Sequence, residues 1–263
     1  MVCIVYSLKD EVSASAAEAL KESMQFKETK PVSGMRHFDA DGTEMLEIKD
    51  LHLNADYLDG KIETDCIIFL SRHSSAKEVP AFTVHPEGNW TSEAKLGGKP
   101  KELAFAAPVQ MLQILTSMQN MNTSNVQVTY EATHHGPLLK TPSLYAEIGG
   151  NEQIRANIEY IKFLAAAVQN SIYNEVGYDK IALGIGGLHY ADRFAKRALE
   201  GKYAFAHIMP RHTVDNVDMI GQALSRSVPK TEVAVIDWKS ISDPQRQAVI
   251  KKLEEFGIDY YKI

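Results

Sequence analysis

The sequence predicts an α/β fold, a single domain in which helices cover both faces of a mainly parallel, mixed sheet. Short apolar runs typical of strands alternate with helical patterns along almost the whole chain, and this alternation favours a sheet buried on both sides. The 263 residues suit one large α/β domain, and neither an internal repeat nor a low-complexity linker divides them. We therefore expect one domain over residues 1–263.

The first half of the chain supplies five predicted strands. Residues 11–24 and 108–119 carry helical patterns, whereas the stretches near 25–62 and 86–101 are more polar, so we expect irregular insertions there. The predicted strands, which end at turn residues, are 3–7, 66–71, 81–85, 126–132 and 142–150.

The second half continues the alternation. A helix is predicted at roughly 152–173, where an apolar stripe would pack on the sheet, and another near 215–226. In the last helix, Asp243 suits the N-cap, Pro244 the first turn and Gly257 the C-terminal stop. The stripe consists of Ile154, Ile158, Ile161, Ala165, Val168 and Ile172, and the predicted strands are 180–187, 204–209 and 232–237.

The overall charge limits the classes of partner. A net charge of −6 argues against a protein that coats nucleic acid non-specifically, because phosphate neutralisation supplies most of such binding. Cys3 and Cys66 lie in apolar runs and are expected to be reduced core residues. Without a visible signal peptide or membrane span, the expected location is the cytoplasm. Two basic clusters suit either a solvated surface or a local binding patch: Arg193, Lys196, Arg197 and Lys202, and Lys95, Lys99 and Lys101.

The histidines predict where the chemistry lies. Most of the nine histidines follow a predicted strand. In a parallel sheet the C-terminal ends of the strands share one edge, so side chains spread over the chain would converge there. Neighbouring residues on a strand point to opposite faces, so the adjacent histidines His134 and His135 are expected to have different roles. The histidines concerned are His73, His85, His134, His135, His189 and His212.

Neutral imidazoles with a carboxylate form a ligand set that suits Zn²⁺. Neither an HExxH motif nor a CxxC cluster occurs in the sequence, so any metal site has to be assembled in three dimensions. Glu147 is the carboxylate expected to join the histidines, with a surface acid as the alternative. We assign the candidate ligands as His73, His85 and His189, and the candidate catalytic residues as His134, His135 and Glu147.

A glycine-rich turn, GIGGLHYADRF (184–194), comes between a predicted strand and a helix. Such a turn presents backbone N–H groups to an anion at a helix N-terminus, so we expect Gly186, Gly187 and Arg193 to bind substrate. It fails the dinucleotide fingerprint because His189 stands where the third glycine is needed. A serine nucleophile in SRHSS (71–75) is not expected, because the chain lacks a GxSxG elbow.

Five motifs together resemble the archaeal and plant type of D-aminoacyl-tRNA deacylase. The resemblance implies hydrolysis of the ester that links a D-amino acid to the 3′ end of tRNA. It also implies zinc dependence and a fold similar to peptidyl-tRNA hydrolase and nucleoside phosphorylases. The motifs, which span most of the chain, are SRHSS (71–75), TVHPEGNW (83–90), THHGP (133–137), PSLYAEIGG (142–150) and GIGGLHYADRF (184–194).

Two other functions compete with this interpretation. A metal-dependent peptidase, amidase or nucleosidase acting on a small molecule would show the same histidine pattern. A non-catalytic RNA-binding module is disfavoured by the acidic balance and by the lack of RRM, KH or OB signatures. We expect a monomer that acts on the 3′ end of D-aminoacyl-tRNA, with no membrane partner.

Overall fold

The computed structural model describes residues 1–73, 78–124 and 126–263. Within them the chain alternates between strands and helices, as the sequence predicts. The strands are β1 (Val2–Ser7), β2 (Lys27–Glu28), β3 (His37–Ala40), β4 (Thr43–Ile48), β5 (Cys66–His73), β6 (Ala81–His85), β7 (Gly88–Asn89), β8 (Glu102–Leu103), β9 (Gln127–Tyr130), β10 (Ser143–Gly149), β11 (Lys180–Ile185), β12 (Tyr203–Met209), β13 (Val233–Ile236) and β14 (Tyr260–Lys262).

Seven α-helices and three short 3₁₀ helices are found in the described part of the chain. None of these helices is long and apolar enough to cross a membrane. The α-helices are α1 (Glu11–Met24), α2 (Pro108–Met121), α3 (Glu152–Arg155), α4 (Ile158–Tyr173), α5 (Asp192–Leu199), α6 (Ile220–Ser225) and α7 (Asp243–Glu255), and the 3₁₀ helices are His52–Leu58, Val217–Met219 and Trp238–Ser240.

The strands form two large sheets and one small ribbon. The larger sheet has the order β2-β3-β4-β1-β5-β10-β6-β9, the smaller one has the order β12-β11-β13-β14, and β7 pairs with β8. In the larger sheet, β4, β1, β5 and β10 run parallel, whereas β6 and β9 run antiparallel to β10. The smaller sheet is entirely parallel. The predicted α/β fold with a mainly parallel, mixed sheet is therefore confirmed.

Helices α1, α2 and α4 pack on one face of the larger sheet, and α2 also contacts β12 of the smaller sheet. The opposite face of the larger sheet is covered by the 3₁₀ helix His52–Leu58, whose Ala55 and Leu58 join a separate apolar cluster. Both cysteines are buried free thiols, as expected.

Strand β10 separates these two environments. Its residues Leu144, Ala146 and Ile148 belong to the core beneath the helices, whereas Tyr145 belongs to the cluster on the other face. Because side chains alternate along a strand, Glu147 lies on the same face as Tyr145. That face carries the buried polar groups described below.

Two predicted segments differ in the structure. The stretch near 25–62 is not an irregular insertion, because it contains β2, β3 and β4, and β4 pairs with the whole length of β1. The polar residues Glu44 and Glu47 conceal this strand in the sequence. The predicted helix 152–173 is broken between α3 and α4, where Asn157 caps the second helix by accepting a hydrogen bond from the N–H of Glu159.

The last helix confirms the predicted positions of Pro244 and Gly257 but not the cap. Ser242, rather than Asp243, is the N-cap residue, and it forms a capping box with Gln245. Gly257 adopts a left-handed conformation with φ of 64° just beyond the helix end, as a C-terminal stop requires.

Candidate active site

Most of the candidate histidines meet at a single cavity, which we call pocket A. It has a volume of about 360 Å³, and its walls include four of the histidines together with Glu147. The ring of His85 lies 4.2 Å from that of His134 and 4.9 Å from that of His135, between ring centroids. Pocket A is lined by Asp10, Leu51, His52, Leu53, Ser71, Arg72, His73, Leu96, His134, His135, Tyr145, Glu147 and His189.

The residues converge on a face of the sheet rather than at a shared edge, so the expected reason for their convergence is wrong. Strand β6 is antiparallel to β10, and His85 is therefore paired with Tyr145 in the middle of the sheet, whereas His73 is paired with Gly149. Paired residues project to the same face. Along β10, Glu147 comes between Tyr145 and Gly149. It therefore lies between His85 and His73 on this face.

The adjacent histidines His134 and His135 both belong to the site, which contradicts the expectation that they face opposite ways. Strand β9 ends at Tyr130, and His135 has a left-handed φ of 44°. Their ring centroids are 4.3 Å apart. A loop, not a strand, therefore carries both side chains, and the alternation rule does not apply to them.

Backbone carbonyls select the tautomers of three histidines. The Nδ1 atoms of His134, His135 and His85 lie 2.8, 2.7 and 3.1 Å from the carbonyl oxygens of Ala132, Gly136 and Pro86. Because a carbonyl only accepts a hydrogen bond, each Nδ1 carries the proton in the neutral ring. The Nε2 atom is then a free electron-pair donor, the arrangement that metal-ligating histidines adopt.

Glu131 is the central residue that the sequence reasoning missed. Its Oε2 atom lies 2.8 Å from Nε2 of His189, 3.1 Å from Nδ1 of His73 and 3.6 Å from Nε2 of His134. The carboxylate is completely buried. Although burial raises it, the pKa of Glu131 is lowered by the hydrogen bond with His189 and by the neighbouring imidazoles. Its position three residues before the paired histidines was the available signal.

Glu147 is a buried member of the site and not a surface acid. Its Oε2 atom lies 3.4 Å from Nε2 of His85 and 3.5 Å from Nδ1 of His73. Burial raises its pKa, but hydrogen bonds with both histidines hold the pKa well below its usual range. In return, although burial lowers it, the hydrogen bond with Glu147 raises the pKa of His85 to about 9.

Two histidines in the loop favour the neutral form. Burial lowers the pKa of His135 to about 4 and holds the pKa of His134 well below its usual value, and the charge of His85 adds to both effects. The site therefore combines charged carboxylates and a protonated His85 with the neutral imidazoles of His134 and His135, which are free to bind a metal or to accept a proton.

The donor set fits a metal ion. Among the described residues, buried atoms without a hydrogen-bond partner include Nε2 of His73 and Oε1 of Glu131, and such atoms are rare unless something else satisfies them. In the part of the chain that the structure describes, three groups have their ligand atoms within 4.8 Å of one another: His73, Glu131, His134 and His189; His85, His134 and His135; and His85, Glu131 and Glu147.

The predicted metal ligands are divided among different groups in the structure. His73 and His189 share one group, but His85 belongs to the other two. His134, expected to be catalytic, is a potential ligand together with His73 and His189, and Glu131 completes that group. The three predicted ligands therefore do not form one site by themselves.

The glycine turn does not form the predicted anion cradle. The N–H of Gly187 donates to Oγ of Ser240 at 2.7 Å, and the guanidinium of Arg193 pairs with Asp237. Helix α5 begins only at Asp192, whose own charge is negative. Gly187 and Arg193 line a smaller cavity of about 170 Å³, separate from pocket A.

Another cavity, pocket B, has a volume of about 500 Å³ and contains His212, for which no role was assigned. His52, also unassigned, is buried beside pocket A with its Nε2 3.1 Å from Oγ of Ser13. In the SRHSS motif, Oγ of Ser71 donates to Asp10 at 3.2 Å, while Ser74 and Ser75 lie outside the described residues. Pocket B is lined by Gly88, Asn89, Trp90, Thr91, Ser92, Glu93, Thr133, His134, His189, Pro210, His212 and Thr213.

Comparisons with known proteins agree with one another. Residues 60–261 match the family model of D-aminoacyl-tRNA deacylase. The chain is 36% identical to the D-aminoacyl-tRNA deacylase of Pyrococcus furiosus over 271 residues and 37% identical to that of Pyrococcus horikoshii over 274 residues, with both chains covered completely. A crystal structure of a conserved protein of unknown function superposes with a TM-score of 0.92 at 29% identity, covering 100% of this chain and 95% of the other.

Proposed function

Because this chain belongs to the D-aminoacyl-tRNA deacylase family, we propose that it hydrolyses the ester between a D-amino acid and the 3′ end of tRNA in pocket A. The observation that carries the assignment to this pocket is the convergence of buried Glu131 and Glu147 with five histidines that the chain separates widely. Since aminoacyl-tRNA is used in translation, we expect the enzyme to act in the cytoplasm.

We propose that Zn²⁺ is the metal and that the group formed by His73, His134, His189 and Glu131 holds it. Nitrogen donors with one carboxylate form a set that Zn²⁺ takes in catalytic sites. When bound, the ion supplies Lewis-acid polarisation of the ester carbonyl and of water. His189 is 41% exposed in its side chain whereas Glu131 is fully buried, so this group reaches from the protein interior to the solvent.

The chain's own residues then provide proton transfer. Of the histidines, His135 suits the general base because it lines pocket A and is neutral, with the proton on Nδ1 and a free electron pair on Nε2. It would take a proton from the attacking water and return it to the 3′ oxygen as the ester bond breaks. Burial lowers the pKa of His135 to about 4, and the carboxylate of Glu147 opposes this shift, so Glu147 would stabilise the protonated ring during this transfer.

Gly136 and Tyr145 hold the base in position. The carbonyl oxygen of Gly136 accepts a hydrogen bond from Nδ1 of His135 at 2.7 Å and another from the Tyr145 hydroxyl at 3.2 Å. The Tyr145 ring also lies edge-on to His135, with centroids 4.9 Å apart. The base is therefore fixed by two contacts before any substrate enters, and such preorganisation lowers the barrier.

We propose that Arg193, together with Arg211 in the same small cavity, contacts the tRNA beyond its last nucleotide.

The substitution Glu131→Gln tests the proposed centre. We expect the wild-type enzyme to hydrolyse D-Tyr-tRNA but not L-Tyr-tRNA. Glu131→Gln should lower kcat/KM for D-Tyr-tRNA by about 100-fold or more and lower the bound zinc measured by elemental analysis, because it removes a charged ligand or ligand partner. Hydrolysis rates and zinc content are to be measured on the same preparations.

Glu47→Gln is the matched control, since Glu47, on β4, is also a buried glutamate but contacts Tyr6 and Arg36 instead. This control should keep both the activity and the zinc. A zinc-loaded wild type that leaves D-Tyr-tRNA intact contradicts the proposed function. Wild-type activity and zinc content in Glu131→Gln contradict the assignment of the centre.

A further inference from the structure

Pockets A and B meet at the two histidines that they share. His134 and His189 line both cavities, and no other described residue does. Both histidines contact the buried carboxylate of Glu131. Two cavities that join at the reacting centre suit a substrate with two unlike parts on either side of the bond that breaks.

Most of the surface that pocket A exposes beyond the centre is apolar, and Leu51, Leu53, Leu96 and Tyr145 contribute to it. The pocket is also lined by Asp10, His52, Ser71 and Arg72. Leu96 lines the pocket and is 58% exposed, so its side chain faces both the cavity and the solvent. A cavity with such apolar walls suits an amino-acid side chain that is partly apolar and varies in size.

Pocket B is different in chemistry and larger. Asn89, Thr91, Thr213 and His212 line it with hydrogen-bonding groups, and Trp90 contributes an aromatic wall. The indole N–H of Trp90 donates to the carbonyl of Thr133 at 3.1 Å, which fixes its ring. Hydrogen-bonding groups beside an aromatic residue are the features with which proteins hold a base and its ribose.

We propose that pocket A binds the amino-acid side chain and pocket B binds the 3′-terminal adenosine, so that the ester lies between His134 and His189. This assignment rests on the proposed function. The volumes favour it, because the nucleoside is the larger of the two parts and pocket B, at about 500 Å³, exceeds pocket A at about 360 Å³. The polar walls of pocket B also match the hydroxyl and amino groups of adenosine better than the leucines of pocket A do.

The assignment is tested by narrowing each pocket separately. Leu96→Trp narrows pocket A and Ser92→Trp narrows pocket B, and both positions are exposed, so folding should be preserved. We expect Leu96→Trp to lower kcat/KM for D-Tyr-tRNA by about tenfold or more relative to D-Ala-tRNA, since a misfit of a few atoms in a pocket has effects of this size. Ser92→Trp should lower kcat/KM for both substrates by similar factors.

Free adenosine provides an independent measurement for pocket B. We expect it to inhibit the wild type competitively, to inhibit Leu96→Trp equally well, and to inhibit Ser92→Trp about tenfold more weakly. Leu8→Trp is the matched control: Leu8 is 54% exposed and lines neither pocket, so this variant should behave as the wild type in every measurement.

The outcomes separate this inference from the proposed function. If Leu96→Trp affects D-Tyr-tRNA and D-Ala-tRNA equally, or weakens inhibition by adenosine while Ser92→Trp does not, the assignment of the pockets is wrong and the deacylase function stands. If the wild type and Leu8→Trp hydrolyse neither substrate, the proposed function fails, and the assignment fails with it.

Discussion

At the scale of single residues, the centre is a balance of buried charges. Each of the two buried glutamates would be strongly destabilising alone, because a carboxylate loses its hydration inside a protein. Glu131 contacts three imidazoles and Glu147 contacts two, one of them shared. The histidines therefore have a structural task as well as a chemical one, and substitutions within this set should not be additive.

His207, outside the centre, should make stability depend on pH. Its Nε2 donates to the carbonyl of Arg226 at 2.9 Å and its Nδ1 lies 3.2 Å from Oγ1 of Thr133. Burial lowers its pKa from 6.5 to about 4. Between these two pH values the unfolded chain binds a proton at His207 that the folded chain does not bind. The free energy of unfolding should therefore fall as the pH falls from 6.5 to 4. For this group the decrease should be roughly 3 kcal/mol.

Urea unfolding of the wild type and His207→Gln at pH 7.5, 5.5 and 4.5 measures this contribution. At pH 7.5 the variant should be less stable than the wild type, because the glutamine side chain differs in shape from the imidazole that it replaces. On acidification, however, the variant should lose less stability than the wild type. Equal losses in the two proteins would contradict the pKa assigned to His207.

The sequence reveals the histidines of the site more readily than its acids. Histidine occurs nine times in the chain, and its position after several predicted strands is conspicuous, whereas aspartate and glutamate together number 34. Glu147 stands in the apolar segment LYAEIGG (144–150), which distinguishes it from most acids of the chain. Glu131 follows a strand in which polar residues alternate with apolar ones, so its pattern is that of a solvated residue, and its one local signal is its position three residues before the paired histidines.

At the scale of elements, the loop that carries His134 and His135 is positioned by glycines. A Cβ atom on Gly136 would lie 2.2 Å from the backbone nitrogen of Gly98, 2.5 Å from the carbonyl carbon of Gly97 and 2.8 Å from the carbonyl oxygen of Leu53. The N–H of Gly136 also donates to the carbonyl of Leu96 at 2.9 Å. Three chain segments therefore meet at distances that only glycine permits.

Gly136→Ala should displace this loop and reduce catalysis without unfolding the protein. Because Gly136 also holds Nδ1 of His135, the displacement moves the proposed base, and shifts of about 1 Å reduce rates by about 100-fold. Gly177→Ala is the control, since a Cβ atom there would meet no atom of the described residues within 4 Å. Deacylation kinetics and circular dichroism are to be measured for both. Wild-type kinetics in Gly136→Ala would show that the loop tolerates the shift.

The order of elements can be predicted from the sequence better than their directions. Strand β6 begins only eight residues after the end of β5, and a connection this short suits a reversal of direction rather than a parallel crossover. The strand-helix alternation elsewhere in the chain concealed that local signal. As a result, the convergence of the histidines could be expected from the sequence, but the sheet face on which they meet could not.

At the scale of the whole molecule, one core connects the two sheets. The largest apolar cluster contains Ile68 and Leu144 of the larger sheet as well as Ala182 and Phe205 of the smaller one. The site spans the same junction, since the N–H of Thr133 donates to the carbonyl of Ile208 at 3.0 Å. The division into two sheets was not predictable, because strand pairing depends on contacts between residues far apart in the chain.

This shared core predicts that the chain unfolds as one unit, as the expected single domain of residues 1–263 requires. Phe205, on β12, is fully buried, and its ring lies 6.1 Å from that of Tyr130, which ends β9 in the other sheet. Phe205→Ala should lower the free energy of unfolding by about 3–5 kcal/mol while far-ultraviolet and near-ultraviolet circular dichroism still report one transition. Tyr173→Ala, at a position 61% exposed, should change stability by less than about 1 kcal/mol. Two separate transitions in Phe205→Ala would mean that the sheets fold independently, and the active site would then lie between two domains rather than within one.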